Sequence, residues 1–186
     1  MLGNRVVTWS FVLPIDLPSA NRHGGAATNA RHAANAAQYR RQRSTWVSML
    51  TAAARMAGLP TITVRVSRDY TLGTMTVDTL ANVSRRTVEI VRLWAKGCRA
   101  WDDDNMVAAC KGLRDAMQRE QIRTHRGKVP TLVPGAGLVW DDSATWSRWS
   151  YGQERAADGR PGVRVTVSEA SQGEIIAAAV RAGTRR

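Results

Sequence analysis

Apolar positions divide this chain into stretches of period two and stretches of period three to four. Val6, Val7, Trp9, Phe11, Val12 and Leu13 are β-formers. They predict a strand over Arg5–Leu13, stopped by the turn-rich Pro14-Ile15-Asp16-Leu17-Pro18-Ser19-Ala20-Asn21. Residues 30–57 are rich in Ala and hold neither Pro nor Gly. A long helix is expected there, with Tyr39, Trp46, Met49, Leu50 and Ala53 as its buried stripe, Gly58 as C-cap and Pro60 as stop. Thr61–Val66 alternates as a strand, and the Thr-rich stretch 70–80 is a second strand or a hairpin arm. Thr87–Trp94 alternates again, with Val88, Ile90 and Arg92 on one side and Glu89, Val91 and Leu93 on the other.

From Asn105 to about Gln121 the period lengthens to that of a helix, through Met106, Val107, Cys110, Leu113 and Met117. Gly and Pro punctuate 122–137, a loop or small β-arm. Ala144–Tyr151 alternates, Asp158-Gly159 marks a turn, and Val163, Val165 and Val167 form a final strand. These two strands are expected to make a hairpin. Gly173–Arg186 is an Ala-rich helix or tail with a basic end, and no internal repeat is present. The order predicts an α/β (α+β) protein with a small mixed β-sheet and two main helices. One domain is expected over residues 1–170, followed by a basic C-terminal helix or tail over 171–186.

Charge changes the picture at one place. Strand and helix meet at Trp101-Asp102-Asp103-Asp104-Asn105, three adjacent carboxylates in a chain of net charge +12. Like charges repel, so a fold keeps such a run together only where something offsets the repulsion. If the run is extended, Asp102 and Asp104 point one way and Asp103 the other. Lys111 lies two helical turns after Asp104 on the same face, and Asp115 one turn further. The plain alternative is an Asp N-cap favoured by the helix dipole. The functional one is a hard-metal site, with few oxygen ligands and room for water and phosphate. A second acidic pair, Asp141-Asp142, follows the apolar run Leu138-Val139-Trp140.

Across 186 residues, 27 Lys and Arg stand against 15 Asp and Glu. That excess favours a polyanionic partner through phosphate contacts. No stretch is apolar enough to span a bilayer, and residues 1–5 lack the apolar run of a signal peptide, so no membrane partner is expected. Cys98 and Cys110 make no disulfide framework and no zinc spacing, and a reducing cytoplasm is expected. No acidic residue occurs between Asp16 and Asp69, so the arginines of the long helix, Arg31, Arg40, Arg41, Arg43 and Arg55, act without local compensation. They are either ordinary solvated surface or a side that faces DNA.

In chain order stand a strand, Leu17-Pro18-Ser19-Ala20-Asn21, a basic helix, a strand, Asp102-x-Asp104-Asn105 with Lys111 and Asp115, and Gly137-Leu138-Val139-Trp140-Asp141-Asp142. From about Val6 to Val167 this order resembles the RusA family of Holliday junction resolvases, often phage- or prophage-borne. In that family a Pro-Ser-x-Asn loop follows the first strand, an Asp-x-Asp-Asn turn opens a helix carrying a Lys and then an Asp, and an Asp-Asp pair starts the next strand. The resemblance implies that Asp102, Asp104 and Asp142 hold Mg²⁺, with Mn²⁺ as a substitute, and that Lys111 sits beside the scissile phosphate, one helical turn later than the family lysine. It implies a homodimer making paired nicks in a four-way DNA junction by metal-assisted hydrolysis, with no small-molecule cofactor. The residues expected to face the DNA are Asn21, Arg22, Arg40, Arg41, Arg43, Lys96 and Arg99. Competing expectations are a DNA-binding protein without catalysis, a metal-dependent nuclease acting on other branched or single-stranded nucleic acid, and a structural phage protein with an accidental acidic cluster.

Overall fold

Strand β4 (Arg86–Trp94) carries Val88 and Ile90, both fully buried, on one face and Glu89, exposed, on the other. It is an interior strand of a four-stranded sheet. The computed structural model describes residues 6–17, 29–62, 64–69, 74–79, 84–123 and 130–169. The expected C-terminal helix or tail, and Asn21 and Arg22, lie outside these. The main sheet has the order β1 (Thr8–Leu13), β8 (Gly162–Glu169), β4, β7 (Ser147–Arg155). β8 is antiparallel to both its neighbours, and β7 is parallel to β4. The fold is α+β, as expected: a mixed four-stranded sheet, two helices and two small hairpins among the described residues. No helix among them is long and apolar enough to cross a membrane.

The expected hairpin between the last two strands does not form. β8 leaves β7 on one edge and enters between β1 and β4. Burial explains the choice. Val163, Val165 and Val167 are all fully buried and suit an interior strand, whereas β7 exposes Arg148, Glu154 and Arg155, which suit an edge.

Helix α1 (Asn29–Met56) turns Arg43, Trp46, Leu50 and Ala54 inward, spaced by three or four residues. Gly58, at φ +70°, ends it in the left-handed conformation that glycine adopts without strain. Helix α2 (Asp103–Met117) buries Met106, Ala109, Cys110, Leu113, Ala116 and Met117 in the same core. Where the helices cross, α2 presents Gly112. A β-carbon there would come 2.7 Å from the Trp46 ring, so the bare backbone permits the close approach. The helix starts two residues before Asn105 and ends at Met117. At Gln118 the backbone is extended, and that residue bridges to Val139.

The small elements take the arm-like forms expected. β2 (Val64–Asp69) and β3 (Thr74–Thr79) pair as one hairpin, β5 (Gln121–Arg123) and β6 (Thr131–Val133) as another. The Asp141-Asp142 pair does not begin a strand. β7 starts later, at Ser147, after a turn in which Asp141 accepts hydrogen bonds from the Ser143 amide and hydroxyl.

Candidate active site

The acidic run follows the C-terminal end of β4, where four contacts fix the chain. The Arg92 guanidinium lies over the Trp101 ring, 3.7 Å from its centroid, and donates to the Arg99 carbonyl at 3.3 Å. Gln153 of β7 grips the Trp101 backbone twice. Its amide oxygen accepts the Trp101 N–H at 2.9 Å, and its amide nitrogen donates to the Trp101 carbonyl at 2.8 Å. Asp102 then caps α2, accepting the Asn105 N–H at 2.8 Å and the Asn105 side-chain amide at 2.5 Å. Those two bonds hold the Asp102 carboxyl below its usual range, so it is ionised at neutral pH.

The alternation expected of an extended Asp102–Asp104 does not hold, because α2 already begins at Asp103. Asp103 and Asp104 are successive residues of a first helical turn and diverge by about 100°. Asp103 borders a cavity of about 210 Å³ shared with Met106, Val107, Tyr151, Gly152 and Gln153. Asp104 lies on the line of Lys111 and Asp115. Both aspartates are exposed, and among the described residues neither pairs with a cation. Lys96 and Arg99 are exposed on the preceding loop.

Asp142 carries an ion pair of its own. It pairs with Arg114 at 3.3 Å. Arg114 lies ten residues along α2 from Asp104, roughly 15 Å of helix rise. Lys111 is on the expected face, with its side chain 75% exposed and 3.7 Å from Asp115. Asp115 braces the two helices, accepting the Tyr39 hydroxyl at 2.6 Å. Burial and that bond push Tyr39 up to about 12.

Among the DNA-facing candidates, Arg40 and Arg41 are exposed, but Arg43 is not. It is buried and donates to the Asp115 carbonyl at 2.8 Å and the Pro134 carbonyl at 3.2 Å. Its place three residues before Trp46 puts it on the inward stripe. It ties α1 to the end of α2 and is no DNA contact.

These donors fit Mg²⁺ only in part. The turn offers a pair of carboxylates, a number the ion commonly takes from protein, with water and phosphate completing its shell. A site built from Asp102, Asp104 and Asp142 does not fit: among the described residues no three His, Cys, Asp or Glu side chains come together. Sequence reasoning missed Gln153, the Trp101–Arg92 stack and Arg114. Gln153 did carry a signal, as the polar member of the inward series Trp149, Tyr151, Gln153. No family model, no curated protein and no solved structure matches this chain.

Proposed function

We propose that the protein is a metal-dependent endonuclease of branched DNA, with the acidic turn before α2 as its catalytic centre. One observation carries this. Asp103 and Asp104 stand exposed and unpaired among the described residues of a +12 chain, on a turn held by Gln153, Arg92 and Asn105. An N-cap needs only Asp102 and its bonds to Asn105. The further grip on Trp101 supports a fixed carboxylate geometry, which a catalytic group requires. Asp102 and Asp104 would hold a Mg²⁺ ion, whose chemistry is to neutralise phosphate charge and acidify a water. Lys96 and Arg99 attract the phosphate backbone beside the turn, and Gln153 and Arg92 keep the carboxylates placed. A two-fold homodimer suits a two-fold junction substrate.

Incubation with a labelled four-way junction and a matched linear duplex, in Mg²⁺ or EDTA, tests the proposal. Cutting of the junction alone, abolished by EDTA, is expected. Equal cutting of both substrates, or activity in EDTA, refutes it. The engagement of Asp142 with Arg114 favours one second reading, a junction-binding protein without catalysis. It predicts binding indifferent to divalent metal and no cutting.

The basic face of α1 gives a separate expectation. Each phosphate neutralised on B-DNA contributes about −0.9 to the log–log slope of affinity against salt. Arg40→Ala with Arg41→Ala should flatten that slope and leave stability nearly unchanged. Arg43→Ala should leave the slope alone and lower stability by about 1–3 kcal/mol, because two carbonyls lose their donor. Anisotropy titrations over a salt series and urea unfolding check both. An unchanged slope in the double variant would mark this face as ordinary solvated surface.

A further inference from the structure

The chain's seven tryptophans are used unequally. Trp46 is buried in the core, and Trp9, Trp101 and Trp149 pack against it. Trp94, the last residue of β4, belongs to neither group, and nor do Trp140 and Trp146. The latter two pack on each other, ring centroids 5.9 Å apart and planes tilted by 51°, on the irregular segment between α2 and β7. Both are half-buried. The Arg119 guanidinium covers Trp140, its carbon 4.0 Å from the ring centroid. One Arg119 amine donates to the Glu120 carbonyl at 2.7 Å, and its Nε has no partner. The neighbouring carboxylates are engaged, Asp142 by Arg114 and Asp141 by Ser143, while Arg85 reaches the Ala144 carbonyl and Arg148 is exposed.

Two large rings kept outside the core, half-buried and with a guanidinium over one of them, make a surface suited to stacking. Bases present free π-faces when unpaired and hide them in a duplex, and aromatic and guanidinium planes are what unpaired bases stack on. The chain's net charge supplies the attraction for the phosphates between those bases. We propose that Trp140, Trp146 and Arg119 form a stacking platform for unpaired nucleotides. The proposal rests on the nucleic-acid reading above and adds which part of the substrate is held. Unpaired bases bind near the start of β7, while the acidic turn lies at that strand's far end, beside Gln153.

The test is read in EDTA, so that binding is separate from cutting. Anisotropy of a labelled oligo-dT strand and of a hairpin duplex is measured with wild type, Trp146→Ala, Trp140→Ala and Trp146→Phe. Loss of one stacked base should weaken single-strand binding by roughly 5- to 150-fold. Duplex affinity should stay within about twofold, with an unchanged salt slope, because no phosphate contact is removed. Trp146→Phe should retain most of the affinity. If the alanine variants do not fold, Trp146→Phe against Trp146→Leu makes the same comparison at near-constant apolar volume. An equal fall on both DNAs, or no fall on the single strand, overturns the platform. Junction cutting by wild type alongside unaltered single-strand binding by Trp146→Ala would refute the platform and leave the nuclease standing. A selective single-strand loss in a protein that never cuts would do the reverse.

Discussion

Asp103→Asn together with Asp104→Asn is expected to abolish junction cleavage while junction binding stays equal or tightens. The two carboxylates are exposed at the first turn of α2 without a cationic partner among the described residues, so the change breaks no ion pair there. Weaker interaction with the helix dipole costs roughly 0.3–1 kcal/mol per residue, too little to unfold a domain. DNA meets two fewer negative charges, which favours binding. The chemical step loses Asp104, one of the two proposed Mg²⁺ ligands, and the charge of Asp103 beside it, a fall of roughly a hundredfold or more. Single-turnover cleavage and junction affinity, measured on the same preparation, check it. Residual cutting within a few-fold of wild type would remove the acidic turn from the mechanism. The single variants then rank the pair. Asp103 has no exemption, since it borders the cavity with Gln153 while Asp104 follows the Lys111 line.

Arg86→Ala is expected to be the most damaging single change to stability, at about 3 kcal/mol. The Arg86 side chain is 5% exposed and serves three acceptors: the Glu169 carboxylate at 2.7 Å, the Leu138 carbonyl at 2.8 Å and the Pro60 carbonyl at 2.8 Å. Alanine leaves all three without this donor. Burial raises the Glu169 carboxyl, but Arg86 and the Ser84 hydroxyl outweigh it and hold the group below its usual range. Stability from a depressed carboxyl is complete above the unfolded-state pKa and is lost as pH falls through the folded one. Wild type therefore loses this contribution on acidification, and Arg86→Ala, which lacks it, shows a shallower acid decline. Urea unfolding at about pH 7 and about pH 3 measures both effects. Parallel declines would show that the pair adds nothing at neutral pH.

Where one rule acted alone, the sequence was a good guide. The inward series Val88, Ile90, Arg92 followed from alternation, and α2 from its period, because each element buries one face against one core. The neighbour of β8 was not legible. A turn at Asp158-Gly159 permits a hairpin, but burial of three valines against both β1 and β4 outweighed that local preference. Arg43 and Arg86 were misjudged or passed over because charge suggested surface. Each lies on an inward position, which spacing marks, and each satisfies carbonyls that only the tertiary fold brings near. The support of the acidic turn by Gln153 was hidden for the same reason, since it depends on β7 lying parallel beside β4. Asp142 was assigned by motif order, which carries no sign of its pairing with Arg114.

The interior place of β8 also bears on how the protein is made. Thr8 and Ser168, partners across the ladder, are 160 residues apart in the chain. A ribosome that has delivered both helices and β7 has still not delivered the strand that joins β1 to β4. Until residue 169 has emerged, β1 waits without its ladder partner, and the core shared with β4 and α2 lacks the valines of β8. The main sheet therefore closes late in synthesis, with long-range pairings that form slowly. In that interval the nascent chain offers apolar strand edges that chaperones are suited to cover.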